Sequence, residues 1–164
     1  MIVLGIDPGL AIVGYGLVDS QPGGILRPVD YGCIYTEPDM RLPQRLQRIF
    51  EGVQMLFDRY QPESVAMEEL FFNKNVKTAL LVGQARGAAL ISAANRTEEL
   101  YEYTPLQVKQ AVAGYGRADK YQVQIMVQTI LGLKELPKPD DAADALAVAI
   151  CHANSNDMPQ SFKI

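Results

Sequence analysis

Ile2-Val3-Leu4-Gly5-Ile6-Asp7-Pro8-Gly9 opens the chain with a short apolar run, a carboxylate and a turn. An apolar run this short, closed by Pro-Gly, fits a strand buried in a sheet better than a helix. Ile12 to Asp19 reads as a second strand, lightened by Gly14 and Gly16. Gln21-Pro22-Gly23-Gly24 turns the chain into a third, Ile25 to Thr36, so the first forty residues form an antiparallel meander. The period changes at Arg41: Leu42, Leu46, Ile49, Val53, Leu56 and Phe57 fall at helical spacing up to Tyr60, and Pro62 ends the helix. Ser64-Val65-Ala66-Met67 makes a fourth strand running into Glu68-Glu69. Val76 to Asn95 is a long helix of apolar and small residues, in which Gly83 and Gly87 allow close approach to the sheet or to a dimer partner. Leu100 to Tyr103 is a fifth strand. Helices over Pro105–Ala113, Lys120–Leu131 and Asp141–Ala153 complete the chain, the last preceded by the stiff Pro137-Lys138-Pro139. This order predicts an α/β fold, a mixed five-stranded sheet flanked by helices. One domain is expected over residues 1–153, with 154–164 as a short C-terminal tail.

Composition narrows the function. The 164 residues are 48% hydrophobic, enough for one core. No apolar run approaches the roughly 18 residues of a membrane span. The N-terminus lacks a basic region and a small-residue cleavage site, and Cys33 and Cys151 stand far apart, as suits a reducing compartment. A cytoplasmic protein with no membrane partner is expected. The single histidine, His152, excludes multi-histidine metal sites. It lies more than two helical turns beyond Asp144, roughly 12 Å along the axis, and stays outside the candidate site.

The net charge of -4 argues at first against a nucleic-acid partner. Its distribution does not. Asn73 to Lys120 holds Lys74, Lys77, Arg86, Arg96, Lys109, Arg117 and Lys120 against Glu98, Glu99, Glu102 and Asp119, a net of +3, and the flanks carry -7.

The acids are placed unusually. Asp7 closes the first strand and Glu68 the fourth; if those strands are adjacent and parallel, both acids meet beyond their carboxyl ends. Asp141 and Asp144, i and i+3, share a face in the first turn of the last helix, where the dipole favours negative charge. Helix capping by Asp140 or Asp141 is the competing account, and Asp140 with Asp144, i and i+4, would also share a face. Asp144 precedes the apolar stretch Ala145-Leu146-Ala147-Val148-Ala149-Ile150, where an unpaired carboxylate costs several kcal/mol. No lysine or arginine nearby in sequence offers itself as a partner. A hard divalent ion such as Mg²⁺ resolves the repulsion. Four acids can hold two ions about 4 Å apart, an arrangement that hydrolyses phosphodiesters without histidine.

Gly5-Ile6-Asp7-Pro8-Gly9, Gly14-Tyr15-Gly16, Met67-Glu68, Gly83-Gln84-Ala85-Arg86-Gly87, Val108-Lys109-Gln110 and Asp141-Ala142-Ala143-Asp144-Ala145-Leu146-Ala147 together resemble the RuvC-type Holliday junction resolvases. The likeness runs from about Met1 to His152, with the motifs in the family's order. It implies an RNase H-like fold, a homodimer, and Mg²⁺-dependent symmetric nicking of four-way DNA junctions in recombination and repair, alongside the RuvA–RuvB branch-migration complex. By the same resemblance Asp7, Glu68, Asp141 and Asp144 are the catalytic, metal-ligating acids, holding two Mg²⁺ ions for which Mn²⁺ can substitute. Glu69 and Asp140, their neighbours, blur that assignment. Phe71, in Phe71-Phe72-Asn73-Lys74-Asn75, matches a residue that stacks on an unpaired base at the junction centre, with Phe72 in the core. Lys109 and Lys120 match positions contacting DNA near the scissile phosphate, and Lys74, Lys77, Arg86 and Arg117 are weaker candidates. Other readings are an RNase H-like nuclease acting on RNA–DNA hybrids or flaps, and a non-catalytic junction-binding module, which would be expected to have lost some acids. The first loop also resembles that of actin-like sugar kinases and chaperone ATPases, but those need a second lobe and a second phosphate loop.

Overall fold

The sheet residues alternate between two very different faces, and that difference organises the molecule. A computed structural model of the protein describes residues 1–70, 75–155 and 162–164. Its elements are β1 (Ile2–Asp7), β2 (Ile12–Gln21), β3 (Ile25–Tyr35), α1 (Leu42–Tyr60), β4 (Ser64–Glu68), α2 (Val76–Ala94), β5 (Leu100–Tyr103), α3 (Pro105–Ala113), α4 (Lys120–Leu131) and α5 (Asp140–Asn154). The strand order is β3-β2-β1-β4-β5. The first three strands pair antiparallel, while β4 lies parallel to β1 and β5 parallel to β4. The expected mixed five-stranded sheet is therefore present. No helix among the described residues is long and apolar enough to cross a membrane.

One face carries large side chains. Leu4, Ile6, Val13, Leu17, Val65 and Met67 are fully buried there against Ile49, Val53 and Phe57 of α1 and Ala85 and Ala89 of α2. The opposite face is nearly bare, because the alternate positions are Gly5, Gly14, Gly16 and Ala66. Helix α5 lies on it, with α3 and α4 packed behind. A Cβ at Gly5 would stand 2.1 Å from the Ala145 carbonyl oxygen, one at Gly14 2.0 Å from that of Asp141, and one at Gly16 2.7 Å from the Leu146 nitrogen. Helix backbone thus rests on strand backbone. From Ala145 to Ala153 every residue of α5 is buried.

Two local expectations change. Pro139 is the N-cap of α5 and gives no side-chain capping bond. Asp140 and Asp141 are the first two helical residues instead, so the capping account of these acids fails, and Asp144 falls just past the first turn. Gly83 and Gly87 do not bring α2 against the sheet. The nearest atom to a Gly83 Cβ is Leu70 Cδ1 at 3.9 Å, and nothing lies within 4 Å at Gly87.

His152, left outside the candidate site, is a core residue. Its ring hydrogen-bonds the Tyr103 hydroxyl at 2.8 Å and Ser64 Oγ at 3.1 Å, tying α5 to β5 and β4. Tyr101 packs on it with centroids 4.4 Å apart. At the chain's end Phe162 packs on Tyr103, Lys163 bonds Glu99 at 2.6 Å, and the Ile164 N–H donates to the Leu100 carbonyl at 2.9 Å. Phe162–Ile164 therefore run along β5.

Two outcomes follow from this packing. Gly5→Ala forces a methyl into the Ala145 carbonyl and should lower stability by about 3 kcal/mol or more, read as the urea midpoint. Burial pulls the His152 pKa from 6.5 to about 4. A depressed native value means that the stabilisation is complete above about pH 6.5 and drains away as pH falls towards 4. Against a His152→Asn control, the wild type should lose about 3 kcal/mol across that window; parallel curves would show that His152 does not titrate this way.

Candidate active site

Parallel pairing of β1 and β4, with Ile6 opposite Met67, sets Asp7 and Glu68 side by side at the strands' carboxyl ends. The third and fourth acids arrive through the bare face. Gly14 pairs with Asp7 across β1–β2, and the Asp141 carbonyl sits directly over Gly14. The first turns of α5 are thereby held beside Asp7, as the sequence reading required.

The electrostatics record this crowding. Burial first, then the charges of Asp144, Glu68 and Asp141, push the Asp7 carboxyl from 3.8 to about 7, with Lys120 opposing. Glu68 is raised by burial and by Asp144, against Lys109 and Lys120. Asp144 is raised chiefly by burial, against a hydrogen bond from Lys120. Glu69 follows β4, and its backbone N–H donates to the Tyr103 carbonyl at 2.8 Å.

The expectation that these acids lack a cation is overturned. Lys120 Nζ lies 3.0 Å from Asp144 Oδ2 and 3.6 Å from Asp140 Oδ2. Sequence proximity misses this pair because α4 delivers the lysine from across a helix–helix contact. A capping box of Asp119 and Gln122 starts α4 at Lys120 and so fixes where the ammonium is launched. Asp140 itself is exposed and accepts from Gln124 Nε2 at 2.9 Å. Glu68, Asp144, Lys109 and Lys120 line a cavity of about 200 Å³ with apolar walls from Val108 and Val123.

Other candidates divide. Arg86 is spent on Glu102, 2.6 Å away, and so belongs to the scaffold. Phe71, Phe72 and Lys74 lie outside the described residues. Cys33 escaped the sequence reading: it pairs with Gly14, level with Asp7, and burial pushes its thiol up to about 11. Only strand register, which sequence does not display, would have found it.

The donor chemistry fits a hard divalent cation. The facing groups are all carboxylates, three of them are raised by burial and mutual repulsion, and an ion would relieve both. Among the described residues no three Asp, Glu, His or Cys side chains close on a single point.

A mixed sheet with acids at the ends of its central parallel strands and on the helix crossing them is the RNase H-like architecture, a nuclease fold. The sequence profile described as crossover junction endodeoxyribonuclease RuvC matches residues 3–152. The chain is 58% identical to the crossover junction endodeoxyribonuclease RuvC of Alkaliphilus oremlandii over 164 residues, covering 100% of this chain and 99% of that one. It superimposes on the structure of Thermus thermophilus RuvC with a TM-score of 0.88 at 42% identity, over 96% of each chain. For T. thermophilus RuvC in complex with a Holliday junction substrate the TM-score is 0.90 at 38% identity, over 100% of each chain. The chain belongs to the RuvC family of crossover junction endodeoxyribonucleases. Membership implies use of a divalent metal.

The raised Asp7 value has a sign. Its native pKa lies above that of the unfolded chain, so its contribution is present below about pH 3.8 and is lost as pH rises through about 7. With metal chelated, the wild type should lose about 2–3 kcal/mol relative to Asp7→Asn between pH 5 and 8. Denaturant titrations of both proteins at the two pH values measure this, and a constant gap would contradict it.

Proposed function

We propose that this protein is a structure-selective endonuclease that resolves four-way (Holliday) DNA junctions by paired symmetric nicks in recombination and repair. The observation that carries the reading is the Asp7 carboxyl, held at about 7 by burial and three other acids beside a lysine-lined opening. Asp7, Glu68, Asp141 and Asp144 would hold two Mg²⁺ ions. Bound there, the metal supplies an activated water and offsets charge on the leaving oxygen. The chain's own part is positioning. Strand ends and α5 present the acids from a rigid face, and Val108 and Val123 wall the Glu68–Asp144 side. Lys109 and Lys120 stand at the opening, where a DNA phosphate would meet them. Phe71 and Lys74 complete the contact, Phe71 by stacking on an unpaired base.

A junction with two-fold symmetry calls for two sites, hence a homodimer. Helix α2 supports one. Val76, Leu80 and Ile91 are 74%, 63% and 55% exposed, in line with Gly83 and Gly87, which leave room for a facing helix. The nuclease domain spans residues 1–153, and the protein works in the cytoplasm with a RuvA–RuvB branch-migration complex.

A cleavage assay with Mg²⁺ tests the reading on a mobile four-way junction, a flap and an RNA–DNA hybrid. Paired symmetric nicks in the junction alone are expected. Asp7→Asn should cut at least about 100-fold more slowly while still binding the junction. Equal cleavage of all three substrates, or full activity in Asp7→Asn, would sink the proposal.

A further inference from the structure

Lys120 sits between two carboxylates of unequal character. Asp144 is 32% exposed and belongs to the buried group; Asp140 is 61% exposed and stands at its rim. The ammonium is 3.0 Å from the inner acid and 3.6 Å from the outer one. Only a small swing of a flexible, half-exposed side chain separates the two partners.

We propose that Lys120 is the resident counter-cation of the carboxylate group, and that Asp140 is a positioning residue that draws it off Asp144 when a divalent ion binds. This rests on the reading of Asp7, Glu68, Asp141 and Asp144 as the metal-holding acids. An ammonium and a divalent ion cannot both occupy the inner side of Asp144, because at such separations like charges repel by several kcal/mol even at an effective dielectric of about 20. The lysine must leave. Without Asp140 it would give up its only carboxylate partner beside a new positive charge. With Asp140 it keeps one.

The outer acceptor is built for the purpose. Gln124, one turn beyond Lys120 on α4, donates to Asp140 Oδ1 at 2.9 Å and leaves Oδ2 turned to the ammonium. Lys120 and Gln124 are i and i+4 and hold Asp140 between them. Asp140 is thus assigned as a partner of Lys120 rather than a ligand of the metal. The exchange also leaves Lys120 at the rim of the opening when the acids are loaded.

Mn²⁺ binding to the full-length protein without DNA, followed by the electron paramagnetic resonance of free Mn²⁺, tests this directly. Lys120→Met should bind Mn²⁺ about tenfold more tightly than wild type, although it loses a DNA contact. Asp140→Asn should bind it several-fold more weakly, and Asp140→Glu should restore the wild-type value. In the Lys120→Met background, Asp140→Asn should change affinity less than about twofold, since nothing is left for Asp140 to hold. An equal loss in both backgrounds would make Asp140 a direct ligand and overturn the proposal, as would unchanged or weaker binding by Lys120→Met. Asp7→Asn separates the two levels. If it binds Mn²⁺ like wild type, the metal-site reading itself is wrong; if it loses Mn²⁺ while Lys120→Met is unchanged, only the exchange is.

Discussion

The contact on which the rest depends is backbone against backbone: α5 lies on β1 and β2 at Gly5, Gly14 and Gly16 with no Cβ between them. Ordinary side chains would hold the helix several ångströms farther off. Asp141 and Asp144 would then stand away from Asp7, and the group would not exist. The same closeness explains the composition of α5, where Ala142, Ala145 and Ala149 meet a surface with no room for larger residues. The other face has no such demand and fills with Leu, Ile, Val, Met and Phe from the sheet and α1. One sheet thus has a face for stability and a face for position.

Placing four acids on that second face stores repulsion. The fold does not relieve it with a fixed arginine, which would bind carboxylates bidentately and stay. It uses a lysine at the start of a helix, on a flexible stem, bonded more closely to one acid than to another. The raised values of Asp7, Glu68 and Asp144 show that Lys120, with Lys109 acting on Glu68, offsets only part of the cost. A cation bound there would relieve what remains.

Much of this was legible in the residues because the signals were local. The apolar run ending at Asp7, the Pro-Gly and Gly-Gly turns and the helical spacing after Arg41 define the elements with errors of one or two residues. Strand ends located Asp7 and Glu68, and helix periodicity located Asp141 and Asp144. What escaped was non-local. Lys120 was visible only as a DNA contact, because its bond to Asp144 depends on how α4 packs against α5. Cys33 comes level with Asp7 only through the registers of two strand pairs. Gly14 and Gly16 read as weak points in a strand, whereas the missing side chains are what admit the helix. Capping by Asp140 or Asp141 failed for a local reason that looked favourable: Pro139 starts the helix one residue earlier than expected.

The last three residues carry a different consequence. A parallel strand at the border of a sheet offers unpaired backbone groups to any passing extended chain. Here Ile164 bonds to Leu100, and Lys163 bridges to Tyr101 in the antiparallel sense. The polypeptide thus hems its own sheet on the β5 side, leaving the long outer strand β3 as the border where β-strand recruitment between molecules could begin. Displacing that hem would disturb, through Phe162, Tyr103 and His152, the helix that carries the acids.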